Sequence, residues 1–75
     1  MELETKVMEM IMKAQEGCSE IVYSMRRKDT QSKWLRVTIK DCSTTSLERL
    51  VQARYNFKFA TLSVNNGALI FDCTD

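Results

Sequence analysis

Leu3, Val7, Met10, Ile11 and Ala14 recur three and four positions apart, which places them on one stripe of an amphipathic helix. Glu2 with Lys6 and Glu9 with Lys13 stand at i,i+4 in the favourable order, and Gly17 supplies a stop. The pattern predicts a first helix over about residues 2–16. The same spacing fits a heptad seam, but a coiled coil needs about three or four heptads and fewer than two are present. A helix packed on a core is the better reading.

Period two follows. Ile21, Tyr23 and Met25 alternate with Val22, Ser24 and Arg26, and Leu35, Val37 and Ile39 alternate with Trp34, Arg36, Thr38 and Lys40. Both segments read as half-buried strands, joined into a hairpin by the polar link Arg27 to Ser32. Thr45 and Glu48 have the spacing of a capping box, after which Leu47, Leu50, Val51 and Tyr55 supply the apolar stripe of a second helix.

The clearest local signal is Asn66-Gly67 between two strand-like runs, because a type I′ turn needs positive φ at both central residues. Centring the turn there pairs Asn65 with Ala68, Val64 with Leu69, Ser63 with Ile70, Leu62 with Phe71, Thr61 with Asp72 and Ala60 with Cys73. One face then holds Ala60, Leu62, Val64, Leu69, Phe71 and Cys73, so turn and alternation agree. The element order is αββαββ. The expectation is a single α+β domain over residues 1–75, a four-stranded antiparallel sheet with both helices on one face.

Composition narrows the classes. The chain has 75 residues, 44% hydrophobic, with 11 Lys and Arg against 10 Asp and Glu, no His, no Pro and three Cys. A bilayer span needs roughly 18 continuous apolar residues and the runs here are far shorter, so no membrane role is expected. Glu2, Glu4, Glu9, Glu16 and Glu20 are unlike the basic-then-apolar opening of a secretory signal. Cys18, Cys42 and Cys73 are odd in number and widely spaced, which reads as reduced thiols in a cytoplasmic or nuclear setting. A domain of this size has a small core, so a partner, including a second copy of the chain, is the expected extra stabiliser.

Catalytic sets are poorly represented. Without His, Ser-His and Cys-His nucleophile activation is unavailable, and Asp72 and Asp75 read as solvated charges near a chain end. Zinc is disfavoured by the absence of His and of Cys-x-x-Cys. Gly17 and Gly67 are the only glycines, and a stop and a turn account for both, leaving no phosphate-cradling loop. Cys42 precedes the second helix, where a thiol pKa can fall, but no activating base follows and Asp41 opposes the thiolate. No enzyme activity, cofactor, metal or small-molecule substrate is expected.

Charge is uneven. Residues 1–20 carry five acidic and two basic side chains, whereas residues 26–40 carry six basic and one acidic. Arg26, Arg27, Lys28 and Lys33 cluster at the tip of the first hairpin, with Arg36 and Lys40 on the row facing away from the core. That row also receives Trp34 and Thr38, and from the second hairpin Phe57, Phe59, Thr61, Ser63 and Ile70. Large apolar side chains on an uncovered face are a mark of an interface, where Trp, Tyr and Arg anchor contacts.

The expectation is a non-catalytic protein-binding module acting through the open sheet face, a strand edge and the basic hairpin: a regulator, a dimerisation unit, or an inhibitor of a larger complex. By analogy of size alone it could be of phage or virus type. Trp34, Arg36, Phe59 and Ile70 are the expected contacts, with Arg26, Arg27, Lys28 and Lys33 steering the partner. The alternative is a nucleic-acid-binding domain that grips phosphates with the basic hairpin 26–40 and stacks bases on the same aromatics. A sequence pI near 7.7 and an acidic first helix weigh against it.

Overall fold

A computed structural model describes residues 2–28 and 33–75. The helical stripe becomes α1 (Leu3–Ala14), which buries Val7, Met10, Ile11 and Ala14. The backbone then turns through Gly17 at φ +72°, in the left-handed region where a side chain is strained. The four runs of alternation become β1 (Val22–Arg27), β2 (Leu35–Lys40), β3 (Phe59–Asn65) and β4 (Ala68–Thr74). They form one antiparallel sheet in the order β1-β2-β4-β3. Of the predicted Arg27-to-Ser32 link, Arg27 closes β1 and residues 29–32 lie outside the described residues.

All six pairs predicted for the second hairpin are present, with Phe59 opposite Thr74 as a seventh. Asn66 and Gly67 have φ of 52° and 77°, as a type I′ turn requires. The helix-facing rows of the sheet, chiefly Leu35, Val37 and Ile39 of β2 and Leu69, Phe71 and Cys73 of β4, pack against α1 and α2. Tyr23 lies on that row opposite Ile39, yet is exposed, because β1 is an edge strand.

The second helix departs from its predicted stripe. α2 spans Thr44–Ala53 and its cap is Ser43, whose hydroxyl accepts from the Ser46 backbone N–H at 3.1 Å, not the Thr45/Glu48 box. Leu50 is fully buried, but Tyr55 is 73% exposed and Leu47 lies at the surface, while Ser46 takes a core position. A buried hydroxyl is tolerated only when bonded. Here Ser46 Oγ donates to the Ala14 carbonyl at 2.8 Å and accepts from Ser43 Oγ at 3.0 Å, stitching α2 to the end of α1. Arg49 Nη1 reinforces that join by donating to the carbonyls of Lys13, Ala14 and Glu16, at and just beyond the α1 C-terminus. Ser46→Ala removes a donor and an acceptor together, and urea denaturation is expected to show a loss of about 1–2 kcal/mol.

Phe57 corrects a second expectation. Extending the β3 alternation backwards puts it on the outer row, but the strand starts only at Phe59, after a 3-10 turn over Arg54–Asn56. Period two has no hold upstream of the strand. Phe57 is 7% exposed and meets Phe71 edge to face, ring centroids 5.7 Å apart.

Candidate interaction surface

The sheet face opposite the helices is read row by row from the strand registers. The central row is Arg26, Arg36, Asp72 and Thr61; the next is Ser24, Thr38, Ile70 and Ser63; beyond it lie Val22, Lys40, Ala68 and Asn65. At the other end Phe59 stands opposite Thr74, and Trp34 continues the outward parity of β2 on the far side of that threonine. Two strand spacings separate the positions of the two aromatics, about 10 Å.

Asp72 organises this face. It was expected to be a solvated charge near the chain end, but β4 is an interior strand and only 8% of the residue is exposed. Its carboxylate accepts a two-pronged pair from Arg36, Nε to Oδ1 at 2.9 Å and Nη2 to Oδ2 at 3.0 Å, with Lys28 Nζ 3.7 Å from Oδ2. The Arg36 hydrogen bonds hold the Asp72 carboxyl below its ordinary range despite partial desolvation, with the charges of Arg36 and Lys28 adding to the effect. Asp75, also expected to be solvated, receives the Lys6 ammonium at 2.8 Å.

The expected contact residues separate into groups. Trp34, Arg36, Phe59, Ile70 and Arg26 share the uncovered face; Phe59 is 57% exposed, and Trp34 and Ile70 are half-buried. Lys28 reaches onto this face, its ammonium 5.7 Å from the Trp34 ring centroid, and Lys58 stands 6.0 Å from the Phe59 ring. Arg27 does not belong there. Its parity is that of the helix-facing row, and its guanidinium pairs with Glu4 of α1. Lys33 is exposed on the rim, its carbonyl accepting from Thr74 Oγ1 at 3.0 Å.

Sequence reasoning missed Asp72 and Lys58. It also missed a groove of about 1040 Å³ whose walls come from both helices, with Met10, Ala14, Ala53 and Phe57 among its lining. Of the polar side chains that line the groove, Arg49 is engaged by α1 carbonyls and Lys6 by Asp75. Among the described residues no buried side-chain polar atom lacks a partner.

Burial pushes the Cys73 thiol up to about 12, with Asp75 and Asp72 adding to the shift, and partial burial also raises Cys42. Neither is poised as a thiolate at neutral pH. Among the described residues no three His, Cys, Asp or Glu side chains come together as a metal site, and no helix is long and apolar enough to cross a membrane. No family model, curated protein or solved structure matches the chain.

Proposed function

We propose that the chain is a non-catalytic protein-binding module that engages a partner through the uncovered sheet face. The observation that carries this reading is the composition of that face. Trp34, Ile70 and Phe59 lie among Arg26, Lys28, Arg36 and Lys40, with Asp72 as the only carboxylate on its described strand positions. Aromatic and aliphatic anchors within a cationic surround suit a protein partner with an apolar patch rimmed by acidic side chains. Regulation or inhibition of a larger assembly by occlusion would need nothing more than this contact.

Nucleic acid is the less favoured partner for two physical reasons. Lys28 and Lys58 already stand by the Trp34 and Phe59 rings, so a stacking base must displace them. Asp72 also repels phosphate from the centre of the face and consumes the charge of Arg36.

The two partner classes differ in salt response. A fluorescent single-stranded oligonucleotide titrated at low and moderate salt is expected to bind weakly or not at all. A protein retained by the immobilised chain is expected to be lost on Arg26→Glu/Phe59→Ala, which leaves the core untouched. An oligonucleotide affinity that falls with log salt at a slope steeper than about −2, equivalent to about three neutralised phosphates, would overturn the protein-binding reading.

A further inference from the structure

We infer that β3 is a self-association edge, on which a second copy of this chain adds its own β3 antiparallel across a two-fold axis at Leu62. The inference goes beyond the face-mediated reading above and does not depend on it.

β1 and β3 are the two edges of the sheet, and they are defended very differently. Exposed edges are normally blunted by charge, proline or a bulge. β1 carries Arg26 and Arg27, with Lys28 following and Lys40 on its neighbour, so two copies of that edge repel. β3 reads Phe-Ala-Thr-Leu-Ser-Val-Asn, seven residues with no charge and no proline. It also carries two strongly exposed apolar side chains, Phe59 on the outer row and Val64, 73% exposed, on the helix-facing row.

The two-residue turn determines which backbone groups of β3 are open. Asn65 and Ala68 flank that turn and form its hydrogen-bonded pair, and the ladder alternates from there. Ser63 and Thr61 therefore bond inward to β4, while the N–H and C=O groups of Ala60, Leu62 and Val64 point away from the sheet. An antiparallel copy must set these outward residues against outward residues, and the register with fullest overlap places Leu62 opposite Leu62 of the second copy. Ala60 then faces Val64 of the second copy, and Val64 faces its Ala60, giving about six backbone hydrogen bonds across the axis. Thr61 faces Ser63 of the second copy on the outer row.

The side chains fit this register. On the helix-facing row Val64 and Leu62 of each copy are covered by the other, removing the exposed valine from water. On the outer row hydroxyl meets hydroxyl, and no like charges oppose each other anywhere along the pairing. A segment of an unrelated protein could add to the same edge. The second copy is favoured because the contact is isologous and neutral, whereas the rest of the molecule carries an acidic α1 and a basic first hairpin.

The register makes a specific test. Sedimentation of the full chain over a concentration series uses no partner, so it reads this inference independently of the sheet-face reading. The wild-type chain is expected to dimerise. Thr61→Lys/Ser63→Lys sets ammonium against ammonium at two symmetric positions and is expected to weaken the dimer about tenfold or more. Thr61→Lys/Ser63→Glu sets ammonium against carboxylate at the same positions and is expected to retain it. Both side chains are exposed, so folding is preserved and is verified by circular dichroism. In the wild-type dimer the amides of Ala60, Leu62 and Val64 become protected from exchange as concentration rises. A wild-type chain that remains monomeric to about 1 mM, a dimer indifferent to the double lysine variant, or equal loss in both variants would overturn the inference.

Discussion

Phe71→Ala is expected to remove most of the stability of the domain. A chain of this length has a total margin of about 4–11 kcal/mol. Phe71 has no exposed surface, sits on interior strand β4 between Val37 of β2 and Leu62 of β3, and meets Phe57 edge to face. Truncation forfeits the transfer energy of a phenyl ring and leaves a cavity that strands bonded on both sides cannot close, a loss of about 3–5 kcal/mol. In a domain of this size the midpoint of thermal unfolding should fall by at least about 12 °C. The urea midpoint should fall with little change in slope, since the surface exposed on unfolding is nearly the same. Phe71→Leu keeps most of the volume and should cost less than half as much. Equal effects of the two substitutions would mean that the phenyl ring does not hold the sheet to the helices.

The same strand shows what was legible in the sequence. The second hairpin was readable to the residue because two independent constraints coincide there. A turn needing positive φ twice pins the register, and the alternation of Leu62, Phe71 and Cys73 requires the same one. The first hairpin was readable as alternation, and α1 as a stripe with a glycine stop. Strand order was not readable, since periodicity assigns a residue to a face but not a strand to a neighbour. Insertion of β4 between β2 and β3 brings Arg36 to Asp72 across 36 positions of sequence, a contact no local pattern encodes.

The buried stripe of α2 departs from its pattern for a different reason. Side-chain size favours Leu47 and Tyr55 over Ser46 as core positions. Yet a small hydroxyl whose bonds are satisfied by Ala14 and Ser43 lets α2 approach the end of α1 more closely than a leucine would. The candidate face was half legible. Its residues follow from parity, which also turns Arg27 toward the helices, but the pairing of Arg27 with Glu4 depends on how α1 packs, and the burial of Phe57 on where β3 starts.

Asp72→Asn is expected to expose the electrostatic cost of the binding face. The carboxylate is nearly buried, 11% exposed as a side chain, and neutralises a surround in which Arg26 stands directly opposite Arg36 and Lys28 lies 3.7 Å away. The near-isosteric amide keeps the shape but leaves three cations around a neutral centre, with one donor of the Arg36 fork poorly paired. At neutral pH the loss should be about 1–3 kcal/mol, below that of a fully buried pair because Arg36 and Lys28 retain water.

The sign of its pH dependence is set by the direction of the shift. The folded Asp72 carboxyl titrates below its ordinary value of 3.8, so its contribution is fully present above that value and is lost as pH falls through the lower, folded pKa. Wild type and Asp72→Asn should therefore differ most near neutrality and converge in acid as pH falls through the lowered, folded pKa of Asp72. Added salt should also narrow the gap, because the uncompensated repulsion among Arg26, Lys28 and Arg36 is screened over about 10 Å at 0.1 M. Combining Asp72→Asn with Arg36→Met should cost less than the sum of the single changes, since the second removes the cation that the first strands. A gap independent of both pH and salt would mean that Asp72 acts through shape alone and that the cationic character of the face does not depend on it.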